Sequence, residues 1–178
     1  ALHDAIERYP AARDFKLIHG TEVALADGPT LVLLATSRAG YGNLSQLVTL
    51  ARRQAPKGSY RLTRADLEQH RHWLTDTLAL LKPKMGSESN FRPTDERSKK
   101  FDSDPIFFGD LMPGRCWIAC ELNRGADDAA HLAALRELSA RTGMPLVAAG
   151  DVHMHVRRRK KLQDTLTAIR LRTPLARC

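Results

Sequence analysis

The stretch Leu146-Val-Ala-Ala-Gly-Asp-Val-His-Met-His155, followed after Val156 by Arg157-Arg-Arg-Lys-Lys161, decides how the chain is read. Its apolar run, closed by Gly150, reads as a buried strand that delivers Asp151 and His153 to its carboxyl end. A carboxylate with an imidazole two residues on is a metal-ligand combination, because the two together hold Zn or Mn and leave positions for water. The competing reading makes Asp151 a cap for the next helix and His153 a loop residue. His155 stays open as a ligand, a phosphate contact or an exposed side chain.

Downstream, Leu162, Leu166 and Ile169 recur at i, i+4 and i+7, the spacing of one helix face. The basic run Arg157, Arg158, Arg159, Lys160 and Lys161 covers more than a helical turn and cannot be confined to one side. Either it is a solvated helix start or it meets an anion. Positive charge opposes the dipole at a helix N-terminus, and five cations there point to an external phosphate backbone.

Upstream, Asp127 reads as the cap of a helix whose Ala129, Leu132, Leu135 and Leu138 form a buried stripe, stopped by Gly143 and Pro145. Before it, Cys116-Trp-Ile-Ala-Cys-Glu-Leu122 has a strand pattern. Strand, helix, strand, helix at these lengths gives an α/β fold built of parallel units with right-handed crossovers. Cys116 and Cys120 share a strand face and read as core residues, since no CxxC pair or disulfide framework accompanies them.

In the first half, Lys16-Leu-Ile-His-Gly-Thr-Glu-Val-Ala-Leu25 and Thr30-Leu-Val-Leu-Leu-Ala-Thr36 read as neighbouring strands joined at the turn Asp27-Gly28-Pro29. Gly20 allows close backbone approach. Glu22 interrupts the first run; burying a carboxylate is costly unless it is paired or metal-bound, so it is a ligand, an ion-pair partner or a strand-end residue facing water. Leu44, Leu47, Val48 and Ala51 form the stripe of a covering helix. Thr63 caps a short helix reaching towards His72, and Leu78-Ala-Leu-Leu81 reads as a strand. His70 and His72 cannot share a helix face and read as solvated. Residues 85–110, rich in Gly, Ser, Asn, Pro and charge, read as a long irregular insertion.

Composition sets the limits. A chain of 178 residues, 43% hydrophobic and 27% charged, is one ordinary globular domain or a piece of a larger protein, with no apolar run long enough for a membrane span and no signal peptide. The expected compartment is the cytoplasm. The chain opens on Ala1 without a cap or a preceding strand, as a segment of something longer would. Of the net charge of +8, +7 falls between Val156 and Cys178, where eight basic residues meet one Asp.

Three blocks taken together carry a resemblance: Gly20-Thr-Glu-Val23; Leu31-Val-Leu-Leu-Ala-Thr-Ser-Arg-Ala-Gly-Tyr-Gly-Asn-Leu44; and Leu146 to His153 with Leu162-Gln-Asp-Thr-Leu-Thr-Ala-Ile169. They resemble the polymerase and histidinol phosphatase (PHP) domain of bacterial C-family DNA polymerases. The wording of Glu22-Val-Ala-Leu-Ala-Asp-Gly28 and of Gly150 to His155 is similar to the error-prone, damage-induced branch. The resemblance implies part of a distorted (β/α)7 barrel over residues 1–178, interrupted at about 85–110. Active relatives hold up to three metal ions and hydrolyse phosphoesters. By position Glu22, Asp151 and His153 match metal ligands, with Zn or Mn as the implied metal. The family's first ligands would precede Ala1, one expected His is Thr30, and a Cys or His ligand near 73–81 has no clear match.

The resemblance therefore implies a remnant site and no catalytic residue within this stretch. DNA-directed DNA synthesis in translesion repair would belong to a parent enzyme, with Mg at a polymerase site outside the chain. DNA and dNTPs would be its partners, together with other mutagenesis or replication proteins. Two other expectations stand beside it: a free-standing metal phosphoesterase, and a non-catalytic nucleic-acid-binding module relying on Arg157 to Lys161.

Overall fold

The computed structural model describes residues 2–9, 14, 16–83, 105–122, 125–150 and 152–177. In chain order the elements are α1 (Leu2–Arg8), β1 (Gly20–Ala24), β2 (Thr30–Ala35), α2 (Arg38–Arg53), α3 (Arg64–Gln69), β3 (Thr77–Lys82), α4 (105–111), β4 (Cys116–Glu121), α5 (Asp128–Thr142), β5 (Leu146–Ala149) and α6 (Lys160–Leu171). The five strands form one sheet in sequence order. β1 and β2, and β2 and β3, pair antiparallel; β3, β4 and β5 run parallel.

Period-two patterning gives the sheet two unlike faces. The register aligns Val23 with Leu31, Leu31 with Leu81, and Leu33 with Ala79. These residues, with Cys116 and Ile118, are buried against Leu44, Leu47 and Ala51 of α2, Leu67 of α3, and Leu135 and Leu138 of α5. Alternate residues occupy the other face, where Val32, Leu34, Leu80, Trp117 and Val147 are only half-buried. The expected hairpin of β1 and β2 is present. At Gly20 a Cβ would come 2.6 Å from the Leu33 carbonyl oxygen, so close strand approach requires glycine there.

The start of α2 is fixed from two sides. Ser37 Oγ accepts from the Gly40 amide at 3.0 Å and donates to Asp76 Oδ2 at 3.0 Å, so the turn before β3 holds the helix end. Thr63 caps α3 as expected, in a capping box with Asp66.

Several expectations are corrected. Asp127 occupies the N-cap position of α5 with αR backbone and makes no side-chain cap bond, and Ala129 is exposed, so the buried stripe narrows to Leu135 and Leu138 with Leu132 half-buried. Gly143 does end α5, in the left-handed conformation at φ 70°. β5 is an edge strand among the described residues; Ala148 is exposed and its neighbours half-buried, where the sequence reads as a fully buried strand. The insertion is not irregular throughout: 105–111 is helical, Phe108 is fully buried in the core, and the Arg64 guanidinium lies over the Phe107 ring. Residues 84–104 lie outside the described residues. Among the described residues the sheet is open, with β1 and β5 at its edges, so the (β/α)7 barrel that the resemblance implies is not seen closed. Among the described residues no helix is long and apolar enough to cross a membrane.

Candidate functional site

Three strands bring three charges together on the half-buried face. Register puts Glu22, Val32, Leu80 and Trp117 in one row across the sheet, and Ala24, Thr30 and Lys82 in the next. Lys82 ends β3 and Glu121 ends β4, two parallel strands, so both side chains stand at the carboxyl ends where α/β sheets gather functional groups. Antiparallel β1 contributes Glu22 from the side.

Lys82 Nζ donates to Glu22 Oε2 at 3.2 Å and lies 3.3 Å from Glu121 Oε1. The lysine side chain is 17% exposed. Burial pulls its pKa down, but hydrogen bonds and Coulombic attraction from the two carboxylates outweigh that and hold it above the ordinary lysine value. The ammonium is therefore charged at neutral pH. Of the three readings for Glu22, the structure gives two together: it pairs with Lys82 and its side chain, 53% exposed, faces water.

This arrangement does not fit a divalent metal at Glu22. One Glu22 oxygen already faces an ammonium, where a metal ligand would face the cation itself. That ammonium would also repel a second cation. Thr30, which stands where the resemblance expects His, is the register partner of Lys82. Asp151 lies outside the described residues. His153 and His155 are exposed in the segment between β5 and Arg157. Among the described residues no group of three His, Cys, Asp or Glu is placed to hold a metal ion.

The other candidates resolve individually. His70 is half-buried rather than solvated: its Nδ1 lies 2.9 Å from the Asp66 carbonyl oxygen and its ring stacks on Trp73 at 4.4 Å. His72 is exposed, as expected. Cys116 is a buried free thiol whose pKa burial pushes up to about 12, an environment that disfavours the thiolate a metal or nucleophile would need. The basic run divides between two elements. Arg157–Arg159 form a 3-10 turn, Lys160 and Lys161 open α6, and all five are exposed. Lys160 pairs with Asp164 at 2.8 Å, one turn along.

Lys82 and Glu121 are the residues that sequence reasoning missed. The available signal was a charge of each sign ending an otherwise apolar strand, on the same face parity as Glu22.

In sequence, the chain is similar to a segment of proteins named error-prone DNA polymerase. It is 49% identical over 164 residues to the one from Azoarcus sp. (strain BH72), 48% over 162 residues to that of Methylococcus capsulatus, and 43% over 178 residues to that of Pseudomonas paraeruginosa. These alignments cover 91%, 91% and 99% of this chain. The chain spans only 14%, 14% and 16% of the length of these curated relatives. No protein-family model matches the chain.

Proposed function

We propose that this chain is the PHP-type domain of an error-prone DNA polymerase, whose complete polypeptide joins deoxynucleoside triphosphates to a primer terminus in the cytoplasm. One observation carries the reading: relatives sharing that printed name align over 91% of the chain at 49% identity and over 99% of it at 43%. Synthesis, with its Mg, takes place outside these residues. Damaged DNA is the setting, and other replication or mutagenesis proteins are partners of the whole. Within it this domain is structural, and Glu22, Asp151 and His153 are the remnant of a metal site. The Glu22–Lys82 pair speaks against a free-standing metal phosphoesterase.

The half-exposed sheet face supports reading the five strands as an arc of a (β/α)7 barrel. Parallel strands are ordinarily covered on both faces, and closure would turn Val32, Leu80, Trp117 and Val147 inward. To test the function, the complete polypeptide is given Mg and a primed template, intact or carrying an abasic site. Extension is expected on both. A folded protein that extends neither would overturn the reading.

The exposed run Arg157 to Lys161 favours a DNA contact from this domain as well, because α6 has no acidic residue in its first turn and no side-chain cap. DNA affinity should fall with rising salt. Replacing all five residues with Ala should lower the salt slope by about one unit for each phosphate that these side chains neutralise in the wild type. An unchanged slope would remove this interaction and leave the polymerase reading standing.

A further inference from the structure

We propose that Lys82 is the built-in cation of this site: its ammonium takes the position a divalent metal would hold between Glu22 and Glu121. The inference rests on reading Glu22 as a remnant metal position of a PHP-type domain. Two carboxylates from different strands converge on one cation, at 3.2 and 3.3 Å, on the sheet face that carries Glu22. Glu121 is the less exposed of the two carboxylates, at 22% against 53% for Glu22, and a cation between them offsets their mutual repulsion.

A lysine serves this role where a metal cannot be recruited. Its ammonium carries three donors on a flexible stem, so it serves two carboxylates without the geometry a metal demands. It is anchored covalently to β3, whose end is fixed by pairing with β2 at Thr30. The register makes the exchange legible. Thr30 stands where the resemblance expects an imidazole, and Lys82 is directly across from it. Loss of a neutral ligand and gain of a cation meet at one point of the sheet. With the ammonium present, the two carboxylates and lysine sum to −1; without it they sum to −2, the charge a divalent ion neutralises.

The test measures Mn2+ binding by equilibrium dialysis with the complete polypeptide, after chelation, in wild type, Lys82→Met, Glu22→Gln and the double variant. Sites elsewhere contribute equally to all four, so only differences count. Lys82→Met should gain a Mn2+ site at least about tenfold tighter than anything Glu22→Gln removes from the wild type, and the double variant should lose it again. A folded Lys82→Met protein that gains no Mn2+ would overturn the proposal. Should Lys82→Met fail to fold, the wild type still decides: Glu22→Gln should leave its Mn2+ binding unchanged, and a drop of about tenfold or more would mean that Glu22 holds a metal beside Lys82. Primer extension by the same wild-type preparation reports separately on the polymerase reading, so failure of one is distinguishable from failure of the other.

Discussion

Two helices carry the same message in sequence and meet opposite fates. α2 presents Leu44, Leu47 and Ala51, all buried against the sheet; α6 presents Leu162, Leu166 and Ile169 at equivalent helical spacing, all exposed. Leu47 is 0% exposed and Leu166 54%. Their starts differ as well. α2 begins at a Ser37 cap tied to the turn before β3, whereas α6 begins behind three arginines with no side-chain cap. Period 3.6 fixes which residues share a face; it does not fix what that face packs against. For α2 the partners are β1, β2 and the 3-10 turn at Arg71–Leu74, and for α6 the principal described neighbours are the turns at its own two ends.

The sharpest way to break this comparison is to truncate the same residue type on each helix. Leu47→Ala removes a fully buried side chain and should cost about 2–5 kcal/mol of unfolding free energy, including the cavity left behind. Leu166→Ala on residues 1–178 should cost about 0.5 kcal/mol or less, the usual size for an exposed position. Urea denaturation of both variants measures the pair. Losses of equal size would show that the α6 face is buried, and the contrast between the helices would collapse.

The same distinction explains what was legible in the sequence. Local signals mostly read true: the Asp27-Gly28-Pro29 hairpin, the Thr63 cap, the glycine stop at Gly143 and the strand read at Leu78–Leu81, which spans Thr77–Lys82, though not the Asp127 cap. Each is settled within a few residues by backbone sterics or a single hydrogen bond. Readings that needed a distant partner fared worse. β5 reads as buried because it is apolar, and only the sheet order shows it at an edge. Helix 105–111 was hidden in a polar stretch, although Pro105 opens it at the position where a missing N–H costs nothing. At the candidate site Glu22 stood out as a charge in an apolar run, yet its partner lies 60 residues away on a strand two removed. Register between strands selects Lys82, and no local pattern encodes it.

Helix starts give a smaller and finer test of the contrast. α3 begins with the reciprocal cap that α6 lacks: Asp66 accepts from the Thr63 amide at 2.8 Å, from the Thr63 hydroxyl at 2.6 Å and from Gln54 Nε2 at 2.9 Å. Partial burial pushes the Asp66 pKa up, but these bonds outweigh it and hold the carboxyl below its ordinary value of 3.8. A depressed folded pKa means that the unfolded chain takes up the proton first. The stabilisation is thus fully present above the unfolded pKa of about 3.9 and is lost as pH falls through the folded value. Because the carboxylate is largely screened by solvent, its contribution should stay under about 1 kcal/mol. Asp66→Asn should therefore be less stable than wild type at pH 7, and the gap should close towards pH 3, both read from urea midpoints. A gap of constant size at the two pH values would mean that the carboxylate charge adds nothing to this cap, and that α3 and α6 differ only in the shape of their first turns.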